Sequence, residues 1–260
     1  MSTIAWISLS LWSLSIGLAV WRRGRPFAIF LGIMLGIHSL VAVGLWSTWQ
    51  SLGLEPVALF FHLSVYVHFS ALLWPKMRSL PWRALVTLPA HWFWGATFLS
   101  FPWAISAAFG GPVLGWWLPL LVAMGGMIQS LSTRWTLTDL TLDNTAVPGL
   151  SRRRHGSFRE SRPLRIVQIS DPHLGPFMSV ARLRAIAARA VATDPDLVLL
   201  TGDFLTMESQ GTPGCLAEAL APLKALQGRT FACLGNHDHE ALAMVHRELA
   251  DAGVTLLVDA

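Results

Sequence analysis

Five apolar runs, each of about the length a helix needs to cross a bilayer, fill the first half of the chain at 4–20, 27–46, 57–74, 84–101 and 113–131. Segments so long and so poor in charge leave water only by entering lipid or a large protein core, so they fix the solvent before any finer feature counts. Composition agrees, since 53% of residues are hydrophobic and 13% charged, a balance foreign to most soluble domains. All 13 tryptophans lie at or before Trp135, and most acidic residues lie after it. Two regions facing two solvents are implied: a transmembrane domain over 1–132 of about five helices, and a polar domain behind it.

The first run ends on Trp21-Arg22-Arg23-Gly24-Arg25, which reverses the order of a signal peptide, where charge precedes the apolar core. A retained helix is expected. Pro89 in the fourth run, and Pro119 with Gly125-Gly126 in the fifth, predict kinks or a re-entrant segment, so four spans is the alternative count. Arg22, Arg23 and Arg25 fall between runs one and two, and Lys76, Arg78 and Arg83 between three and four, while the second and fourth loops carry only Glu55. By the positive-inside rule the N-terminus is outside and the C-terminal domain cytoplasmic, in what reads as a bacterial inner membrane. The same rule accounts for the net charge of +4, and no nucleic acid partner is expected.

His38, His62, His68 and His91 lie inside apolar runs, where an ionisable group is costly and often functional. His62 and His68 are six apart, which does not put them on one helix face as a ligand pair. Hydrogen bonding between helices is the plainer expectation, with haem or metal binding the sharper one. Cys215 and Cys233 lack a metal or disulfide spacing and read as ordinary buried thiols. From 133 to 163 the chain reads as a linker: alternation over 134–142 predicts a short strand, and 144–162 is a basic arm suited to anionic lipid headgroups.

Beyond 163 the pattern changes to strands and helices in alternation. Strands are expected over 164–169, 196–200, 229–234 and 254–258, with helices over 179–193, 215–226 and 240–251. Three polar motifs sit where strands end: Ser170-Asp171-Pro172-His173, Thr201-Gly202-Asp203 and Gly235-Asn236-His237-Asp238. The carboxyl ends of strands are where such folds collect chemistry. Asp171 and His173 offer an oxygen and an imidazole nitrogen to one divalent ion, and Asp203 has two oxygens with which to bridge a pair. Asn236 adds a neutral carbonyl that would not repel an anionic phosphate. Two ions so held would clamp a phosphate, with His237 as the outer group that protonates the leaving oxygen and Asp238 fixing its tautomer. Alone, each motif is a turn or a cap; together and in order they point to a dinuclear metal site.

These blocks resemble the first three signatures of the calcineurin-like metallophosphoesterase superfamily, and Ile-Ser-Asp-x-His-Leu-Gly resembles its membrane-anchored bacterial subgroup. The resemblance implies a sandwich of mixed sheets flanked by helices, begun within 164–260, and manganese, iron or zinc as the two divalent ions. It also implies hydrolysis of phosphodiester or pyrophosphate bonds, with the lipid bilayer as one partner and a phosphoester, lipid-linked or nucleotide-linked, as the other. The family completes its site with later histidines, which do not follow Asp238 here. His239 and His246 look like surface residues, so the chain is expected to be a fragment. The competing expectation is a membrane sensor or scaffold with a degenerate phosphoesterase-like domain. Oligomeric state is not legible.

Overall fold

The computed structural model describes residues 2–138 and 164–257. Among the described residues, two helices are long and apolar enough to cross a membrane: α1 (Thr3–Arg23) and α2 (Arg25–Ser51). They turn on Gly24, whose φ of 86° suits a residue without a Cβ. Their close approach rests on Gly32 and Gly36, one helical turn apart: Trp12 Nε1 donates to Gly32 O at 2.8 Å, and a Cβ on Gly36 would press on the same indole.

The remaining apolar runs form shorter pieces. The third is α3 (Glu55–Ala71). The fourth is an unbroken run of α4 (Leu80–Trp82), a π-helical turn (Arg83–Thr87) and α5 (Leu88–Leu99). Pro89 accounts for the π turn, because proline has no N–H for a carbonyl one turn back and its ring pushes that carbonyl aside. The expected fifth run starts in a turn and is helical only in α7 (Leu118–Ser130), while α6 (Phe101–Ala108) precedes it and packs on α2.

Two of the buried histidines, His38 and His62, bond between helices. His62 Nε2 lies 3.1 Å from Ser8 Oγ, and His38 Nδ1 lies 2.9 Å from Thr97 Oγ1. The rings of His38 and His62 stack at 4.8 Å, and His68 meets His91 at 4.4 Å. Pairing across helices relieves part of the cost of burying imidazoles.

The strand expected over 134–142 is absent from its described part: residues 133–138 are irregular, and the rest, with the whole basic arm, lies outside the described residues.

Behind it, β1 (Ile166–Ser170), β2 (Leu197–Thr201), β3 (Thr230–Cys233) and β4 (Thr255–Leu256) form one parallel sheet in the order β1-β2-β3-β4. The crossovers are α8 (Val180–Ala192), then α9 (Met207–Gln210) with α10 (Cys215–Leu220) and a 3-10 turn, then a second 3-10 turn (His237–Ala241) with α11 (Leu242–Asp251). Crossovers between successive neighbours, all of one hand, put their helices on one face. Val167, Ile169, Val198, Leu200 and Ala232 point into that side and are buried with Leu183, Leu216, Leu223 and Leu249. Glu248 of α11, itself buried, accepts from the backbone N–H groups of Gly214, Leu216 and Ala217, capping α10 from a neighbouring element.

The other face, with Gln168, Leu199 and Phe231 in register, is partly open among the described residues. Mixed sheets were expected; the described strands are all parallel and in one sheet.

The two halves touch. Met77 N donates to Thr212 Oγ1 at 2.9 Å and the Met77 side chain packs on the core beneath the sheet. Arg83 donates to Pro176 O, and the Phe177 ring meets His91 at 5.0 Å. A Cβ on Gly211 would collide with the Pro75 carbonyl.

Candidate metal centre

All three motif loops emerge from the carboxyl ends of β1, β2 and β3, side by side because the strands pair in that order. Asp171, His173 and Asp203 adopt φ values of 47°, 43° and 52°. Non-glycine residues in this region are strained by on the order of 1 kcal/mol each and cluster at functional sites. Two glycines let the loops close. A Cβ on Gly202 would strike the backbone of Gly235, and one on Gly235 would strike Asp203.

His173, Asp203 and His237 each bring a ligand atom to within 4.8 Å of the others. His173 Nε2 stands 3.6 Å from Asp203 Oδ2, and the two imidazoles meet edge to face at 5.4 Å. Asp203 is buried and oriented: its Oδ1 accepts from His237 N at 3.0 Å, which leaves Oδ2 toward His173. The imidazoles are half exposed, so the cluster opens to solvent. One carboxylate and two imidazoles converging on one point, with strained backbone behind them, fit a divalent transition-metal ion.

The other expected ligands sit at the rim. Asp171 is exposed beyond β1 and accepts from the Ser170 hydroxyl; it is not among the three convergent groups. Asn236 is exposed at the head of the 3-10 turn, between Gly235 and His237. His239 and His246 are exposed, as expected.

Asp238 does something other than expected. It is fully buried, and its carboxylate accepts from the N–H groups of Asp203, Phe204 and Gly235, each at 2.8 Å. With both oxygens so engaged it ties the second motif loop to the third, in place of fixing the tautomer of His237. The carboxylate facing His237 belongs to Glu240, whose Oε1 is 3.6 Å from Nδ1 and whose Oε2 accepts from Gln210. Sequence reading missed Glu240, although a spacing of three on a helical turn was there to be noticed.

It also missed Glu208. This residue of α9 is buried, and burial pushes its carboxyl up to about 7 against the pull of Arg78 and Arg83. The thiols divide: Cys215 is buried and pushed up to about 12 by burial and by Glu248, while Cys233 is exposed at the end of β3.

A carboxylate and two imidazoles converging on the carboxyl-edge loops of a parallel α/β sheet make an arrangement suited to a metallohydrolase. Residues 164–255 match the family of calcineurin-like phosphoesterases. Among curated proteins, the UDP-2,3-diacylglucosamine pyrophosphatase LpxG of Chlamydia trachomatis is 42% identical over 82 residues, 32% of this chain and 25% of its own length. The phosphodiesterase YaeI of Escherichia coli is 31% identical over 113 residues, 42% of each chain. A zebrafish (Danio rerio) transmembrane protein with a metallophosphoesterase domain is 38% identical over 76 residues, 29% of this chain and 17% of its own. The chain thus spans a quarter of LpxG and about two-fifths of YaeI. No solved structure matches.

Proposed function

We propose that this protein hydrolyses phosphodiester or pyrophosphate bonds with a dinuclear metal site at a membrane surface. The observation that carries this reading is the convergence of His173, Asp203 and His237 on the loops after three adjacent parallel strands. In this assignment Asp171, His173, Asp203 and Asn236 would hold the ions; manganese, iron and zinc all suit these donors. When bound, such ions neutralise phosphate charge and lower the pKa of water.

The chain's own groups do the rest. Asp203 is held rigid by the His237 N–H. His237 turns Nδ1 toward Glu240, leaving Nε2 to carry a proton to the leaving oxygen. Asp238 keeps the second and third loops in register.

A second assignment of His237 also has support, since its ring lies within the convergent set; it would then be a ligand itself. Loss of metal affinity in His237→Ala separates this from the acid role, in which turnover falls and metal binding stays.

The membrane half, 1–132, is proposed to span the bilayer several times, with 133–163 as linker, the N-terminus outside and the catalytic domain, 164–260, cytoplasmic. Two span-length helices, the arginine and lysine loops and the transmembrane relative support it. LpxG by its name acts on a diacylated sugar nucleotide, and a lipid-linked phosphoester is proposed here too.

The test is hydrolysis of a bis-aryl phosphodiester by the full-length protein in detergent. Activity should vanish with chelator, return with manganese and fall to background in Asp203→Ala, with His237→Ala slower by about 100-fold or more. Activity indifferent to chelator and to Asp203→Ala would refute the reading.

A further inference from the structure

We propose that the groove between α5 and α7 receives an acyl chain of the substrate, with its mouth at the metal-ligand loop; the proposal rests on the phosphoesterase reading above. The groove is a cavity of about 380 Å3. Trp94 and Phe98 of α5 and Ala123 and Met127 of α7 form its walls. His91 and Ser130 also line it, and Phe177 of the catalytic domain, whose ring meets His91, completes the lining.

That last residue ties the groove to the chemistry. Phe177 is four positions beyond His173 on the same loop, and its ring sits edge-on to His91 at 5.0 Å. The loop is fixed there by the Arg83 bond to Pro176 O. A chain entering between α5 and α7 therefore ends, on its polar side, beside the loop that carries His173. From His91 to Leu99 the wall runs about 12 Å at the helical rise. Apolar walls with a histidine and a serine near the mouth suit an amphiphile whose tail lies inward and whose phosphate lies out.

Lipid tails surround such a groove anyway, so its apolar walls add little affinity over the bilayer. Its benefit is position: a tail lodged there holds the phosphate against one side of the site. A bulk membrane lipid would gain nothing from a mouth closed by a catalytic loop, and the substrate would.

Gly95 faces open space: a Cβ there meets nothing within 4 Å, and its backbone is ordinary helix, so Gly95→Phe can fill the groove without strain. Full-length protein stripped of metal is mixed with an aryl phosphodiester bearing a photoreactive acyl chain, and the cross-links are mapped. They are expected in 92–99 and 123–130, to survive excess phosphatidylcholine of equal chain length, and to fall about tenfold in Gly95→Phe. Labels spread over the other helices, or displaced by phosphatidylcholine, overturn the proposal. In the metal-loaded protein, Gly95→Phe should lower the ratio of kcat/KM for the acylated diester to that for the plain aryl diester by about tenfold; an unchanged ratio also overturns it. Mapped labelling with no hydrolysis of either ester would uphold the groove and refute the phosphoesterase reading.

Discussion

Asp203 and Asp238 are both buried carboxylates within bonding reach of one another's loops, yet they have opposite tasks. Asp203 keeps an oxygen toward His173, whereas Asp238 gives both oxygens to backbone N–H groups. Removing Asp238 leaves three N–H groups without their acceptor, at about 1–3 kcal/mol for each that stays buried. Asp238→Ala should therefore lower the thermal unfolding midpoint of the catalytic domain by many degrees, while His237→Ala, half exposed, should leave it nearly unchanged. Equal midpoints for the two variants would return Asp238 to the role of orienting His237. The motif residues themselves were legible in sequence because acids and imidazoles at strand ends have few structural uses in such numbers. Their division of labour was not, because Asp238 and Glu240 differ only in which way a 3-10 turn points them.

At the scale of elements, α9 shows how the loop after β2 meets the N-terminal half. Glu208 is buried there, facing Arg78 and Arg83, with Arg182 beside Arg83. Its carboxyl ionises near 7 in the folded protein, against a value of 4.5 for the free side chain. Below 4.5 it is protonated folded or unfolded and has no effect on stability. As pH rises from there to about 7 the unfolded chain releases the proton first, so stability is lost, and above 7 the full penalty stands. Glu208→Gln should remove that slope: its unfolding midpoint should gain on the wild type between pH 5 and pH 8, and parallel profiles would show that Glu208 is not desolvated. The four strands of the sheet and the helices α8, α10 and α11 were readable from apolar alternation, each within a few residues of its expected place, whereas α6 and α9 were not foreseen and no strand forms over 134–138. The late start of α7 inside 113–131 was legible only in part: Pro119 marked an irregularity, and it sits in the first turn of the helix, but hydropathy records apolar length and does not say where the helix begins.

Across the whole molecule, the loops that bear His173 and Asp203 run directly into the surface that touches the N-terminal half, through Pro176, Phe177, Glu208 and Thr212. Gly211 fits under Pro75 only for want of a Cβ. Gly211→Val should separate the halves, exposing the 75–83 loop to limited proteolysis in the full-length protein; an unchanged digestion pattern would mean the contact is not maintained in solution. Nothing in the sequence revealed this contact, because it joins residues far apart along the chain by shape and not by pattern. The account as a whole stands or falls on metal. Manganese titrated into the full-length protein and followed by electron paramagnetic resonance should lose its free-ion signal up to two equivalents, and Asp203→Ala should abolish that loss. A free-ion signal undiminished in the wild type, or diminished equally in Asp203→Ala, would contradict the metal centre.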